Sequence, residues 1–257
     1  MAPVSVVVLA AGQGKRMNSA LPKVLQPLAG RPLLAHVVAA ARALKPAAIH
    51  VVYGHGGEEV RAAFAEQPDL KWALQAEQLG TGHAVMQAIP AIPDDHRVLV
   101  LYGDVPLVRP ETLKQLVADY SDGSLSLLTA RLDDATGYGR VVRDASGEVA
   151  RIVEHKDATD DERRVDEINT GLMACDARSL RRYLGNLKSN NAQREYYLTD
   201  VIGMAVAERA HVEGIVAESP TEVLGINDRA QLAAAERALQ RRQAAELMER
   251  GVTLADP

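Results

Sequence analysis

An apolar run that breaks into glycines and cations near the N-terminus constrains this chain most. Residues 4–10 are apolar and mostly β-branched, which is typical of a buried parallel strand. Small residues follow, and Gly12 and Gly14 can take the positive φ angles that a tight loop often needs. Cations then follow, among them Arg16 and Lys23. Because exposed backbone N–H groups beside cations suit phosphates, the stretch predicts a phosphate-binding loop, with an ordinary solvated turn as the alternative.

Two common phosphate motifs do not fit this loop. A P-loop needs G-x-x-x-x-G-K-[ST], but Gly14-Lys15 is followed by Arg16, and no glycine lies five residues before Gly14. The dinucleotide fingerprint G-x-G-x-x-G fails because position 17 is Met. The loop is therefore of another kind, and a dinucleotide-binding oxidoreductase is disfavoured.

Composition restricts the class of protein. A chain of 257 residues, 47% hydrophobic and 25% charged, is ordinary for one large or two small globular domains. A net charge of −5 without a basic stripe argues against nucleic-acid binding. Cys175 is the only cysteine, so the chain cannot form an internal disulfide, and we expect it in a reducing compartment. No apolar run approaches the roughly 18–20 residues of a membrane span, so we expect a cytoplasmic protein that binds neither nucleic acid nor membrane.

Strands and helices alternate through the first half of the chain. Strands are predicted at 4–10, 49–54, 72–75, 97–102 and 124–132, and helices from Arg31-Pro32 to Leu44, over 58–64 and from Pro110. This α/β alternation predicts a mainly parallel, Rossmann-like sheet flanked by helices. Ligands of such sheets lie beyond the carboxyl ends of the strands, where the first loop stands.

The pattern changes after Gly137. Residues 138–142 and 149–154 flank a turn and predict a hairpin, which we expect to add an antiparallel lobe to the sheet. The remaining elements are a charged surface loop at 157–167, strands at 168–176 and 212–217, helices at 178–187 and from 195, and a long helix at 229–250. We therefore expect a domain at 1–228 followed by a linker helix at 229–257.

Two side chains are candidate metal ligands. Asp104 follows a buried strand, between a glycine and a proline-stiffened turn, where its carboxylate suits Mg²⁺. The alternative is a turn-forming Asp, since Gly-Asp is common in loops. Asn227 offers a carbonyl oxygen to a metal or a cap to the terminal helix, and Asp228 is the better candidate for the cap.

The motif LAAGQGKRM at 9–17, followed by LPK at 21–23, resembles the signature of sugar-1-phosphate nucleotidyltransferases. Six further motifs follow in order: QAEQLGTGHA at 75–84, YGDVP at 102–106, GYGR at 137–140, IVEHKD at 152–157, EINTG at 167–171 and GIND at 225–228. Together they resemble the uridylyltransferase domain of the bifunctional N-acetylglucosamine-1-phosphate uridylyltransferase / glucosamine-1-phosphate acetyltransferase family. The resemblance runs from about residue 4 to the C-terminus.

The resemblance implies transfer of UMP from UTP to N-acetylglucosamine 1-phosphate, giving UDP-N-acetylglucosamine, a cell-wall precursor, and pyrophosphate. It implies Mg²⁺ on Asp104 and Asn227, Arg16 on the β- and γ-phosphates, and Lys23 on the α-phosphate. The implied uridine contacts are Ala11, Gly12, Gln75, Gly80 and Thr81, and Leu9, Ala10, Tyr102 and Gly103 are further implied substrate contacts. The implied sugar contacts are Gly139, Glu154, Asn169 and Tyr197.

Several of these residues also have ordinary interpretations. A glutamine amide and backbone groups around Gly80 match the pairing edge of uracil, but the same loop could begin a helix with Thr81 as its N-cap. Glu154 and Asn169 could be surface polar residues. The alternative functions are a related nucleotidyltransferase with another sugar or nucleotide, and a non-catalytic sensor of UDP-sugars.

The long C-terminal helix has only a thin apolar stripe, which suits a connector. In the resembling family it leads to a left-handed β-helix with acetyltransferase activity that trimerises. The hexapeptide repeats of such a domain are absent here. We therefore expect a shortened chain without acetyltransferase activity, present as a monomer or weak oligomer.

Overall fold

The computed structural model describes residues 2–12, 14–54, 57–118 and 123–256. The strands are β1 (Val4–Ala10), β2 (Pro27–Leu28), β3 (Arg31–Pro32), β4 (Ala48–Gly54), β5 (Leu70–Gln75), β6 (Arg97–Tyr102), β7 (Leu125–Arg131), β8 (Arg140–Arg143), β9 (Val149–Val153), β10 (Glu167–Asp176) and β11 (Val212–Val216). The helices are α1 (Leu33–Arg42), α2 (Glu58–Ala63), α3 (Thr81–Ala88), α4 (Pro110–Val117), α5 (Asp160–Arg163), α6 (Ala177–Asn186), α7 (Asp200–Ala207), α8 (Pro220–Val223) and α9 (Arg229–Glu249).

A nine-stranded sheet runs through the domain, and its main path has the order β11-β7-β10-β6-β1-β4-β5. β1 pairs in parallel with both β4 and β6, which places Leu9 opposite Tyr102 and Ala10 opposite Tyr53. β5 continues the parallel pairing beyond β4. The carboxyl ends of these strands therefore meet at one edge of the sheet, as the sequence predicts.

The apolar run of β1 is explained by burial on both faces of the sheet. Val6 and Val8 pack into a core with α1 and α4, whereas Val7 and Leu9 pack into a second core with α3, α6 and α7. Successive strand residues point to opposite faces, so a strand covered on both sides needs apolar residues at every position. Helices on both faces confirm the predicted α/β architecture.

β10 runs against its neighbours and carries the predicted lobe. It pairs antiparallel with β6, β7 and β8, and β8 forms the expected hairpin with β9. The register of β10 against β7 shifts between Asn169 and Met173, where Gly171 has a φ of +85°. The irregularity lies against Tyr102, whose ring is directly beside Gly171.

Three local predictions differ from the structure. The charged segment expected as a loop contains α5, because Thr159 and Glu162 form a capping box that satisfies two helix-end N–H groups. Residues 195–199 precede α7 rather than opening it, because Tyr196 pairs its backbone with Leu79 and Gly82 instead. Arg31-Pro32 pairs with β2 as a short strand, so α1 begins at Leu33.

The C-terminal helix α9 is anchored through its first half. Asp228 caps it by accepting a hydrogen bond from Gln231 N at 2.8 Å, as predicted. Ala235 and Leu239 pack on a small core around Leu28, whereas Leu247 and Met248 are exposed. The division into a domain at 1–228 and a linker at 229–257 stays a prediction. Within the part of the chain described, none of the helices has the length and apolar character needed to cross a membrane.

We expect Gly171→Ala to destabilise the protein by roughly 1–3 kcal/mol. The positive φ disfavours any side chain there, and an added Cβ would lie 2.8 Å from Cζ of Tyr102. Gly203→Ala is the matched control, because Gly203 lies inside α7 with no atom within 4 Å of an added Cβ. It should raise stability by about 0.5–1 kcal/mol. Urea unfolding measures both, and equal effects of the two substitutions would contradict this account.

Candidate active site

A cavity of about 320 Å³ opens at the carboxyl ends of β1, β5 and β6. Ten of the residues singled out in the sequence line it: Leu9, Ala10, Ala11, Gly12, Lys23, Gln75, Gly80, Thr81, Tyr102 and Asp104. Four others line it without having been predicted: Val24, Gln78, Ala84 and Glu195. The structure thus gathers residues from five separate segments around one space that can accept a ligand.

Glycines shape two walls of this cavity. Gly14 has a φ of +60°, and a Cβ there would lie 2.5 Å from Cβ of Lys23, so the first loop packs tightly over the lysine. Gly80 has a φ of +106°, and a Cβ there would lie 2.7 Å from Tyr196 O. Both positions need glycine for conformation and for space.

The polar groups at the end of β5 are held by the backbone around them. Gln75 is 3% exposed, and its Nε2 donates to Gly80 O at 3.0 Å. Gln78 donates to Ala11 O at 2.7 Å and so joins the two loops. Thr81 does not cap α3, because Gly80 is the N-cap residue and Thr81 Oγ1 accepts from Leu198 N at 3.1 Å. The capping interpretation of Thr81 is therefore wrong.

Three segments converge on one positive charge. Lys23 Nζ donates to Asp104 Oδ2 and, at 3.1 Å, to Asn227 Oδ1. The side chains of Lys23 and Asp104 are only 12% and 15% exposed. Ile226 N donates to Asp104 O at 2.9 Å and fixes the Asn227 segment against the end of β6. Because Asp228 caps α9, Asn227 keeps its carbonyl oxygen for this cluster.

The donor set fits a divalent metal ion. A carboxylate and an amide carbonyl are oxygen ligands of the kind that Mg²⁺ takes, and here both contact the same ammonium group. The two oxygens therefore already surround a place that holds a cation. Across the described ranges, no group of three His, Cys, Asp or Glu side chains forms an alternative metal site.

Arg16 and Gly103 lie outside the residues that line the cavity. Arg16 is exposed on a short 3₁₀ turn at Lys15–Met17. Its charge acts on Tyr138. The pKa of Tyr138 is raised, because burial and the charge of Asp104 outweigh the lowering effect of Arg16. Gly103 is buried, and its N–H donates to Leu9 O at 2.9 Å. Gly103 thus shapes the end of β6, and Tyr138 is a nearby residue that the sequence did not identify.

The residues predicted for the sugar form a separate group next to the cavity. Glu154 and Tyr197 line a second space of about 260 Å³. Gly139 lies beside Glu154, and Asn169 Oδ1 accepts from Gly171 N at 3.1 Å. Tyr102 joins the two groups, because it lines the main cavity and also a small gap beside Asn169.

Two hydroxyl groups in this second group already have partners. Thr199 donates to Glu154 Oε1 at 3.0 Å. Tyr197 donates to Asp157 Oδ2 at 3.2 Å and accepts from Gln193 Nε2 at 3.0 Å. The Tyr197 hydroxyl is therefore bonded to protein side chains in this structure, where Tyr197 forms part of the wall of the second space.

Residues 195–199, which we call the strap, form a wall shared by both groups. Tyr196 N donates to Leu79 O, and Gly82 N donates to Tyr196 O, each at 2.8 Å. The last residue of the strap, Thr199, donates its hydroxyl hydrogen bond to Glu154. No local pattern predicts this wall, because Leu79 and Gly82 lie more than a hundred residues earlier in the chain and Glu154 lies 45 residues before Thr199.

Residues 6–251 match the family model of the MobA-like NTP transferase domain. The chain is 58% identical over 255 residues to the bifunctional protein GlmU of Xanthomonas oryzae pv. oryzae, covering 99% of this chain and 56% of that protein. It is 60% identical over 254 residues to the bifunctional protein GlmU of Alkalilimnicola ehrlichii, covering 99% and 54%. The chain thus spans little more than half the length of these relatives.

The fold also matches a solved structure. A nucleotidyl transferase from Methanothermobacter thermautotroptrophicus superposes with a TM-score of 0.68 at 22% identity, covering 93% of this chain and 99% of that chain. At this identity the match shows a shared fold. It confirms the α/β architecture expected from the alternating strands and helices.

Glu154→Gln should change how stability depends on pH. Burial raises the pKa of Glu154, the Thr199 hydroxyl lowers it, and the charges of Asp157, Asp200 and Glu195 raise it further. A raised native pKa means that the folded protein holds this proton more tightly than the unfolded chain does. The wild type should therefore lose stability relative to Glu154→Gln as pH rises above the ordinary value of 4.5 and through the native pKa.

Chemical unfolding at pH 4.5, 6 and 8 measures this difference. Glu148→Gln is the matched control, because Glu148 is exposed on the same hairpin. Its stability should follow the wild type at all three pH values. A constant gap between Glu154→Gln and the wild type would show that Glu154 has an ordinary pKa.

Proposed function

The chain is a nucleotidyltransferase of the MobA-like NTP transferase domain family, and we propose that it transfers UMP from UTP to N-acetylglucosamine 1-phosphate. The products are UDP-N-acetylglucosamine and pyrophosphate. The observation that carries the proposal is the cavity that Lys23 and Asp104 line together with Gln75 and Gly80, and in which Lys23 also contacts Asn227. In one cavity, the cationic cluster suits the phosphates of a nucleoside triphosphate, and the polar recess suits its base.

The choice of substrates rests on the ordered motifs and on the residues they bring together. Gln75, Gly80 and Thr81 line the recess at the end of β5, where a base can meet amide and backbone groups. Gly139, Glu154 and Asn169 supply a carboxylate and an amide on the far side of Tyr102, which suits the hydroxyl and N-acetyl groups of the sugar. The high identity to GlmU proteins supports the same substrates.

The reaction is an in-line displacement at the α-phosphorus of UTP. An oxygen of the sugar phosphate forms the new P–O bond while the bond to the leaving pyrophosphate breaks. No general base is required, because a phosphate monoester carries about −1.5 to −2 charges near neutral pH. The main barrier is repulsion between two anions, so positioning and charge stabilisation dominate.

The chain's own residues supply that stabilisation. Lys23 neutralises the α-phosphate, and the exposed cation of Arg16 holds the β- and γ-phosphates of the leaving group. Asp104 and Asn227 would hold Mg²⁺, which when bound neutralises phosphate oxygens of both reactants. In the present structure Lys23 occupies the oxygens of both ligands, which keeps the carboxylate paired with a cation.

The proposal extends to the state of the protein in the cell. We expect a cytoplasmic enzyme, since both substrates are phosphorylated metabolites and Cys175 is buried and unpaired. We expect it to act as a monomer or weak oligomer. Light scattering of the purified chain measures that state.

A pyrophosphate-release assay with UTP and N-acetylglucosamine 1-phosphate tests the proposal. Release should require both substrates, stop when EDTA removes the metal and return with Mg²⁺, and the nucleotide-sugar should be identified by mass spectrometry. A panel with CTP, dTTP and other sugar 1-phosphates separates a related transferase. Binding of UDP-N-acetylglucosamine without any pyrophosphate release would identify a non-catalytic sensor and overturn the proposal.

Asp104→Ala and Lys23→Ala should each lower kcat by roughly 10²–10³-fold, the scale for removing a charge stabiliser. Each substitution removes one partner of the cluster that meets the phosphates. Lys114→Ala is the matched control, because Lys114 is exposed on α4. Steady-state kinetics at saturating Mg²⁺ measures all three. Turnover near wild type in either cluster variant would reject the role given to that residue.

Glu154→Ala should raise KM for N-acetylglucosamine 1-phosphate by roughly tenfold to a hundredfold and leave KM for UTP nearly unchanged. The reason is the loss of a charged acceptor for sugar hydroxyls, worth about 1.5–3 kcal/mol. Glu148→Ala on the same hairpin serves as the control. An unchanged KM for the sugar phosphate would place the sugar elsewhere.

A further inference from the structure

The amide of Gln75 has a fixed orientation. Its Nε2 lies 3.0 Å from Gly80 O and 3.3 Å from His83 Nδ1. A carbonyl oxygen can only accept a hydrogen bond, so the amide atom that faces Gly80 must be the nitrogen. No described residue donates to the other amide atom, Oε1. Since Gln75 lines the cavity, Oε1 is the atom left for a ligand.

His83 completes this arrangement from α3. Gln75 Nε2 donates one proton to Gly80 O and directs the other at His83 Nδ1, which can accept it in the neutral tautomer that carries its ring proton on Nε2. Gln87 approaches the other ring nitrogen at 3.1 Å and also donates to His83 O at 2.9 Å. In that tautomer His83 Nε2 needs an acceptor, which the half-buried Gln87 supplies when its amide turns to present Oε1 and gives up the bond to His83 O. The ring also lies beside Tyr196, with centroids 6.4 Å apart.

These contacts oppose a flip of the Gln75 amide. A flipped amide would set Oε1 against Gly80 O and against the lone pair of His83 Nδ1, two contacts between acceptors. Without His83, only the Gly80 contact would resist the flip. Gln75 therefore presents an acceptor, and the N3–H of uracil is a donor, whereas N3 of cytosine is an acceptor.

We propose that His83 is a positioning residue for base selection, which holds the Gln75 amide so that its oxygen accepts a hydrogen bond from uracil and disfavours cytosine. The inference rests on the proposed function, because it takes the nucleotide to lie in this cavity. His83 itself touches Gln75 and acts on the nucleotide only through that amide. Its role is in specificity, and the in-line displacement does not use it.

A pair of amide substitutions at position 83 separates this role from packing. In His83→Asn the side-chain oxygen stands one bond from Cγ, as Nδ1 does, and can accept from Gln75. In His83→Gln the amide lies one carbon further out and leaves Gln75 Nε2 without that acceptor. His83→Leu removes the polar group altogether. The two amides share chemistry and differ in reach, so a general effect of losing the ring would appear equally in both.

The measured quantity is the ratio of kcat/KM for UTP to kcat/KM for CTP, with KM for the sugar phosphate as a second readout. The wild type should prefer UTP, and His83→Gln and His83→Leu should each reduce the ratio by roughly tenfold, because a site loses discrimination when its hydrogen-bond orientation is released. His83→Asn should stay within about threefold of the wild type. The sugar-phosphate KM should not move in any variant.

Three results would overturn the inference. They are a wild type that does not distinguish UTP from CTP, an unchanged ratio in His83→Gln and His83→Leu, and an equal loss in His83→Asn and His83→Gln. If the wild type released no pyrophosphate, the proposed function would fail separately. The same ratio would then be taken from dissociation constants for UTP and CTP measured by calorimetry, which decides the role of His83 without turnover.

Discussion

The contact of Lys23 with Asp104 and Asn227 is the interaction on which the rest of the site depends. Lys23 lies 81 residues from Asp104 and 204 residues from Asn227 in the chain. The contact therefore forms only when the first loop, the end of β6 and the segment before α9 are all in place. The ammonium and the carboxylate are both largely removed from water. Removing one partner of such a pair leaves the other charge uncompensated, so the cluster is strongly coupled. The folded chain thus places the carboxylate of Asp104 and the amide oxygen of Asn227 around a cation without any substrate bound.

The sheet supplies the rigidity that this cluster requires. β1 lies between β4 and β6, and its side chains enter cores on both faces. A strand enclosed in this way cannot shift by one residue without moving its apolar side chains, so the loops at its end have fixed starting points. On the main path of the sheet, β10 runs antiparallel to its neighbours β6 and β7. Its register against β7 shifts between Asn169 and Met173, where Gly171 packs against Tyr102, a residue that lines the main cavity.

Much of this could be predicted from sequence because the signals were local. Continuous apolar runs identified β1, β4 and β6, and Asp228 was identified as the cap of α9 by its position. The signal for α5 was also present, as Thr159 followed three residues later by Glu162, but the surrounding charges favoured a loop. The proximity of Tyr138 to Asp104 and the contacts of the strap with Leu79 and Gly82 depend on distant segments. No pattern within a short stretch encodes them, and for the same reason the sequence placed Lys23 and Asp104 in one site only through a resemblance.

The strap at residues 195–199 connects the loop beside the main cavity to Glu154 in the second space. Its backbone is hydrogen-bonded to Leu79 and Gly82 beyond the end of β5, and its last residue is hydrogen-bonded to the carboxylate of Glu154. Tyr196 and Thr199 are three residues apart, so the contacts with Leu79, Gly82 and Glu154 share one short segment of backbone. A displacement of Tyr196 is therefore expected to move Thr199 as well, which would couple the wall of the main cavity to the position of Glu154.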